Sequence, residues 1–393
     1  MPQPVNPQKT IHLWFPDIFE FKGGIQVYSA FLLQALQALF PDWQYQVFLK
    51  HDRYAATELP FDCSTIQFHC AGNLPRSLRT AGFAFQLAWH GFHQQPDLIL
   101  STHVNFTPVA RWLKQVRGIP YWVVVHGVDA WNIRSPLLKQ ALQAADRILS
   151  VSNYTRQRLL ASQPLDPSKI SLLPNTVDAK RFKPGPKPVR LLQRHCLHPH
   201  QPIILTVSRL TQADGYKGYD HIVRALPFLQ TYFADIRYII VGKGDDLPRL
   251  RALARSQQVE DSVIFTGFVP DTELVDYYNL CDVFAMPSKG EGFGIVYLEA
   301  LACGKPTLGG NQDGAIDALD RGRLGILVPP DNGEAIARSL LSILQQTYEH
   351  PLLYSSQALR AATIERYGFE QFQQCLQQLI LDFFMNTAPT PFP

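Results

Sequence analysis

Charge is scarce and nearly balanced in this sequence. Charged residues make up 18% of its 393 positions, with 36 Lys+Arg against 33 Asp+Glu and a net of +3. So small an excess argues against nucleic acid as a partner, which would favour a strongly basic stripe. A content of 46% apolar residues excludes a disordered chain. Paired cysteines are lacking too: Cys63, Cys70, Cys196, Cys281, Cys303 and Cys375 stand without a disulfide or zinc spacing, which fits a reducing compartment. No run reaches the ~18–20 apolar residues that cross a bilayer, and the polar, proline-bearing stretch Met1–Lys9 has no signal-peptide form. The expectation is a cytoplasmic protein, at most peripheral at the inner face of the membrane. Neither a DxD pattern nor a His/Cys/carboxylate cluster with metal-ligand spacing occurs, so no metal and no resident cofactor is expected.

What is present is a repeated alternation. Short β-branched or aromatic runs alternate with longer amphipathic stretches in both halves, the pattern of parallel sheets flanked by helices. In the first half, strands are expected at Thr10–Phe15, Tyr45–Leu49, Thr65–His69, Leu98–Thr102, Tyr121–His126, Arg147–Val151 and Ile170–Leu173. In the second they fall near Ile203–Val207, Tyr238–Val241, Val263–Phe265, Val283–Met286, Pro306–Leu308 and Gly325–Val328. Between the two series, Lys183–Pro188 packs three prolines and a glycine into six residues and reads as a linker. The expected organisation is a first domain over 1–185, a second over 186–365, and a helix and tail over 366–393 packing back on the first. Two doubly wound α/β domains place a ligand outside the carboxyl ends of their strands, in a cleft between them. The first half is the basic one, with 18 Lys+Arg against 11 Asp+Glu in residues 1–186. A mild basic excess fits either a solvated exterior or attraction to phosphates or an anionic membrane.

Two stretches of the second half carry chemistry. Ser208–Gly218 follows a strand and precedes a helix, so Arg209 and Lys217 stand where they could neutralise a diphosphate. Lys243 and Lys289 compete for that role. Glu291-Gly-Phe-Gly-Ile-Val-Tyr-Leu-Glu299 enters a helix from a loop with glycines at 290, 292 and 294, which lets backbone N–H groups approach a ligand. Glu291 and Glu299 are placed to accept from polyol hydroxyls, the chemistry of a sugar or ribose site. Gly309–Gly314 reads as a turn-rich loop whose amides could meet sugar or phosphate. In the first half, Gly23 and Gly24 lie between a strand and a helix, and His126, His103 and Asp129 end or follow strands.

Taken together these residues resemble a retaining, nucleotide-sugar-dependent glycosyltransferase of family 4, glycosyltransferase group 1, with the GT-B fold of two Rossmann-like domains around a cleft. The resemblance rests on Arg209 with Lys217, on the glutamate pair Glu291 and Glu299, and on Pro174–Asp178 and Gly267–Pro270. It implies that Glu299 holds the ribose and Glu291 the donor sugar, while Arg209 and Lys217 stabilise the leaving diphosphate beside the backbone of Gly292, Phe293, Gly294 and Ile295. It also implies a donor contact from Val269, has Gly23 and Gly24 of the loop Lys22-Gly23-Gly24 meet the donor phosphates or the acceptor, and makes His126 the cleft histidine beside the transferred sugar. Asp129 and His103 are candidate acceptor contacts.

The implied donor is a UDP- or GDP-sugar, and the acceptor a sugar, polysaccharide or lipid-linked glycan. Two features depart from the commonest family pattern: Arg209 and Lys217 stand eight positions apart, and Ser208 replaces the usual glycine. A nucleotide-sugar epimerase, a phosphorylase or a non-catalytic nucleotide-sugar-binding protein of the same architecture are the alternatives. Phe83, Phe85, Trp89 and Phe92 near Arg76–Arg79 read first as packing a helix on its sheet, and second as a basic, aromatic face for lipid.

Overall fold

The structure is a computed structural model that describes residues 8–20, 23–54 and 64–387. The chain divides into two compact units, residues 1–175 with 370–393, and residues 176–369.

Unit 1 runs β1 (Thr10–Phe15), α1 (Gly24–Leu39), β2 (Gln44–Leu49), β3 (Ile66–Cys70), α2 (Arg76–Gln94), β4 (Leu98–Ser101), α3 (Thr107–Arg117), β5 (Tyr121–Val125), α4 (Val128–Trp131), α5 (Pro136–Ala144), β6 (Arg147–Ser150), α6 (Asn153–Ser162) and β7 (Ile170–Leu172). Its seven strands are parallel in the order β3-β2-β1-β4-β5-β6-β7. Strands covered on both faces have no polar face to keep, and so β5 reads Tyr-Trp-Val-Val-Val and is buried throughout.

Unit 2 runs α7 (Val189–Arg194), β8 (Ile203–Val207), α8 (Tyr219–Gln230), β9 (Arg237–Val241), α9 (Leu247–Ser256), β10 (Val263–Gly267), α10 (Asp271–Leu280), β11 (Val283–Met286), α11 (Ile295–Ala302), β12 (Thr307–Gly310), α12 (Ala315–Ala318), β13 (Ile326–Val328), α13 (Gly333–Leu344) and α14 (Ser356–Tyr367). Its six parallel strands are ordered β10-β9-β8-β11-β12-β13. Both sheets are doubly wound, as expected. The strand order reverses between β1 and β4 in one and between β8 and β11 in the other, and that switch point is where the loops at the carboxyl ends part and leave room for a ligand.

The last helix, α15 (Phe369–Thr387), is grouped with unit 1 and buries Phe372, Leu376 and Ile380 there. Phe372 meets the Tyr28 ring edge-on at 5.6 Å, and Phe383 meets Trp122 at 5.2 Å. Burying apolar side chains of this size stabilises by about 1.5–3 kcal/mol each.

Four details differ from the sequence-based expectation. The units divide at Asn175/Thr176, not at Lys183–Pro188. The prolines do stop regular structure, yet the stretch is bonded into unit 2: Arg360 donates to the carbonyls of Ala179 and Phe182, the Gly185 N–H to Asn279 at 2.9 Å, and Lys187 pairs with Asp282 at 2.8 Å. Gly309 and Gly310 are strand residues of β12 rather than loop. A Cβ on Gly310 would lie 1.8 Å from the Ser288 carbonyl oxygen, so close packing of β12 on the β11 loop requires glycine there. The short helices α4, α7 and α12 were not anticipated from the sequence. Finally, Phe83 is buried and Phe92 half-buried, whereas Phe85 and Trp89 are 68% and 54% exposed, so those two do not pack the helix on its sheet.

Candidate active site

In unit 2 the candidate residues gather at the carboxyl ends of β8 and β11. After β8 the chain forms a 3-10 stretch, Gln212–Lys217, that ends at Gly218 with φ +76°. A Cβ on Gly218 would sit 2.2 Å from the Pro287 carbonyl oxygen, so glycine alone lets the β8 loop lie against the β11 loop. That contact sets Lys217 beside Glu291: Nζ and Oε1 are 2.6 Å apart, with side chains 13% and 14% exposed. Neither rival lysine is so placed. Lys289 pairs with Asp331 at 2.6 Å, and Lys243 lies over the Phe268 ring at 5.3 Å.

The Glu291 loop is held from behind by Asp313, which is fully buried. Its Oδ2 accepts from Ser288 Oγ at 2.6 Å and the Glu291 N–H at 2.8 Å, and its Oδ1 from the Ala315 N–H at 2.9 Å. Burial outweighs these bonds and pushes the carboxyl up to about 6. Gly314 donates to the Glu291 carbonyl at 2.8 Å, so both sides of the loop are tied to the turn after β12.

Gly292 and Phe293 are buried in that loop, with Phe293 edge-on to Tyr367 at 5.6 Å. Gly294, at φ +88°, caps α11 and offers no side-chain acceptor to the first amides of the helix, at Ile295 and beyond. Glu299 lies one turn further. Tyr278 Oη donates to its Oε2 at 2.6 Å, and dense protein around the carboxyl pushes it up to about 7. Arg209 is not brought into this cluster: its side chain is 64% exposed and lies 3.3 Å from Asp214. Val269 sits half-buried between β10 and α10.

Unit 1 has a different set of groups at its strand ends. Gly23 caps α1 in an extended conformation and Gly24 begins the helix, while Lys22 lies outside the described residues. Earlier in the chain, Ile18–Glu20 is fixed by buried Asp52, whose carboxylate accepts from the amides of Ile18 at 2.7 Å, Phe19 at 3.2 Å and Glu20 at 2.8 Å. His126 Nε2 lies 3.1 Å from the Thr102 carbonyl, which only accepts, so Nε2 carries the proton and Nδ1 is left as an acceptor. Burial lowers this imidazole to about 3, so it is neutral. Asp129 Oδ1 accepts the His126 N–H at 3.0 Å, its Oδ2 is buried without a hydrogen-bond partner, and burial raises the carboxyl to about 6. His103 Nδ1 accepts from the Asn105 N–H at 3.1 Å. No group of three or more His, Cys, Asp or Glu among the described residues could hold a metal ion.

Two family models match in tandem: "Glycosyltransferase Family 4" over residues 22–181 and "Glycosyl transferases group 1" over residues 192–360. The chain belongs to the family 4, group 1 glycosyltransferases. This glycosyltransferase-family chain is 35% identical over 232 residues to a GDP-mannose-dependent α-(1-6)-phosphatidylinositol monomannoside mannosyltransferase of Mycolicibacterium smegmatis, covering 56% of the chain and 59% of that protein. It is 34% identical over 269 residues to the protein of the same name from Mycobacterium tuberculosis, covering 66% of each. The matched stretches thus span about three fifths to two thirds of these relatives' own length. The crystal structure of Anabaena HepE in complex with UDP superposes with a TM-score of 0.75 at 18% identity, covering 95% of this chain and all of that one, which shows the GT-B fold.

In this family 4 member, sequence reasoning picked out Lys217, Glu291 and Glu299 but missed the residues that hold them. Asp313 lay inside a stretch valued only for its backbone amides. Tyr278 is 21 positions from Glu299, and Asp52 is more than 30 from the loop it organises, with no motif to join them.

Proposed function

We propose that this chain transfers a sugar from a nucleoside-diphosphate sugar to an acceptor hydroxyl, with retention at the anomeric carbon. The observation that carries this reading is the Lys217–Glu291 pair, largely shielded from water at the β8/β11 switch point. An arriving diphosphate competes with Glu291 for Lys217, draws the exposed Arg209 side chain away from Asp214, and meets the amides at the start of α11. Glu291, released, accepts from hydroxyls of the donor sugar. Glu299 accepts from the ribose through Oε1 while Tyr278 fixes Oε2. In unit 1, His126 Nδ1 is an acceptor for a hydroxyl, and Asp129 and His103 are assigned to the acceptor substrate.

The bond that breaks joins the anomeric carbon to the β-phosphate oxygen, and the one that forms joins the same carbon to the acceptor oxygen. The acceptor's proton passes to the departing phosphate on the same face. Charge growing on that phosphate is what Lys217, already in place, stabilises in the transition state together with Arg209 once the donor has drawn it in. The relatives at 34–35% identity are named for GDP-mannose and a lipid-linked acceptor, so GDP-mannose is the first donor to test and UDP-glucose the second.

The test is proton NMR of the product formed from each donor on a lipid-linked polyol acceptor. An α-linked product from the α-linked donor is expected. A β-linked product overturns retention. An epimer formed from donor alone, or an absolute need for orthophosphate, overturns the transferase reading.

A further inference from the structure

Lys217 and Arg209, the two cations of the proposed donor site, each face a carboxylate of this chain. Glu291 pairs with Lys217. The second carboxylate is Asp214, in the middle of the 3-10 stretch that separates the two cations, and it lies 3.3 Å from Arg209. The partners of this pair differ in freedom. The Asp214 side chain is 8% exposed and that of Arg209 64%.

Asp214 is held by the loop around it. Its Oδ2 accepts from Thr211 Oγ1 at 2.7 Å, and its own N–H donates to the Thr211 carbonyl at 2.9 Å. The loop in turn is pinned to the turn after β9. The Leu210 N–H donates to the Lys243 carbonyl at 3.1 Å, the Asp246 N–H to the Leu210 carbonyl at 2.8 Å, and the Gln212 N–H to Asp245 Oδ1 at 2.9 Å. At its far end the Lys289 N–H donates to the Tyr216 carbonyl at 2.9 Å, and a Cβ on Gly290 would lie 2.7 Å from the Tyr216 ring. The carboxylate is therefore fixed, whereas Arg209 makes no other side-chain hydrogen bond or ion pair among the described residues.

The grip is also loose. At 3.3 Å it is longer than the 2.7–2.9 Å or so of a good charge-assisted bond, and Oδ2 is taken by Thr211, so no bidentate fork sets the plane of the guanidinium. Such a pair retains the arginine without aiming it. A carboxylate this buried depends on its partners, and when Arg209 leaves for a phosphate Asp214 keeps only neutral donors. That loss offsets part of what the phosphate gains, and apparent affinity falls by the fraction of time the arginine is held elsewhere. The same competition acts on the nucleoside diphosphate left after transfer.

We propose that Asp214 is a positioning residue that holds Arg209 off the diphosphate and competes with it for the guanidinium, so that it weakens the hold on nucleoside diphosphate and eases product release. This rests on the donor-site reading above and adds to it a residue that touches neither donor nor acceptor.

The test is isothermal titration calorimetry of GDP and of UDP into the native chain, Asp214→Asn, Arg209→Gln and the double variant. The nucleotide that binds the native chain should bind Asp214→Asn about two- to fivefold more tightly, the worth of an ion pair with one exposed partner. It should bind Arg209→Gln more weakly, and adding Asp214→Asn to that variant should change nothing further. Thermal unfolding checks the fold, and Asp214→Ser takes the place of Asp214→Asn if the latter unfolds. Equal or weaker binding by the folded Asp214 variant overturns the proposal, because the carboxylate then has no hold on the arginine or aims it at the phosphate. Tightening that persists without Arg209 overturns it too, since that reports only the removal of a negative charge near an anion. Binding of neither nucleotide to the native chain overturns the donor-site reading itself, and the proposal with it.

Discussion

The two units share a doubly wound plan and differ in what stands at their strand ends. Unit 2 sets a cation against carboxylates there: Lys217 with Glu291, backed by Asp313 and followed by Glu299. Unit 1 sets neutral imidazoles there, His103 lowered to about 4 and His126 to about 3 by burial, beside an Asp129 raised to about 6. One arrangement is an internal ion pair largely shielded from water. The other pairs neutral imidazole acceptors with a carboxyl that keeps its charge above about pH 6. One fold can thus host both, because function resides in the loops at the switch point and not in the sheet.

The largest effect that would sharpen this contrast is on turnover. Lys217→Ala should lower kcat/KM for sugar transfer by about 10²–10³-fold, the usual loss of one group that stabilises transition-state charge. Steady-state kinetics on several donors checks it. A loss confined to KM would mean that the lysine binds ground state and transition state equally.

Next in size is a stability effect at the pin behind the loop. Asp313→Ala strips three donors of their buried acceptor and should cost about 2–4 kcal/mol. Denaturant unfolding reads it, and Asp313→Asn should lose less.

Single buried groups in the two units titrate in opposite directions. His12 in unit 1 is buried in β1 against Gln94 and lowered to about 3. Its folded form binds a proton less readily than the unfolded chain, whose ordinary value is 6.5. Stability is therefore full above about 6.5 and falls as pH drops toward 3, by about 1.4 kcal/mol per pH unit for a fully buried group. His12→Gln should flatten that slope. Asp17 and Asp129, both raised to about 6, act with the opposite sign as pH drops from about 6 toward 3.8, so the His12 contribution is read as the difference between the native chain and His12→Gln.

Glu299 in unit 2 has the contrary sign. It is raised from 4.5 to about 7, so its folded form holds a proton that the unfolded chain has released, and stability declines as pH rises between those values. Glu299→Gln should reduce that decline, by about 1 kcal/mol or less because the side chain is partly exposed. Thermal unfolding across pH 4–8 tests both variants, and matching slopes in the two would break the comparison.

The strand ladder was legible because parallel strands buried on both faces are written as continuous apolar runs, such as Ile203–Val207 and Val283–Met286. The site was legible where a motif is contiguous, as from Glu291 to Glu299. It was not legible where a contact joins distant segments. Asp313 reaches Glu291 only because β12 lies beside β11, and glycine at 310 reads as a turn until the packing on Ser288 is seen. Lys183–Pro188 misled because proline content reports the lack of regular structure, not the lack of bonds to a neighbouring element. The outward ring stripe of α2 was hidden by its inward one, since both are apolar and share one helix.

The most direct measurement is donor-induced thermal stabilisation of the native chain, Lys217→Ala and His126→Ala. GDP-mannose or UDP-glucose at about 100 times its dissociation constant should add about 2.7 kcal/mol to the native chain. The account predicts that this gain survives in His126→Ala and disappears in Lys217→Ala while the variant stays folded. Equal stabilisation of all three proteins, or none in any of them, would contradict a donor site built on the Lys217–Glu291 pair.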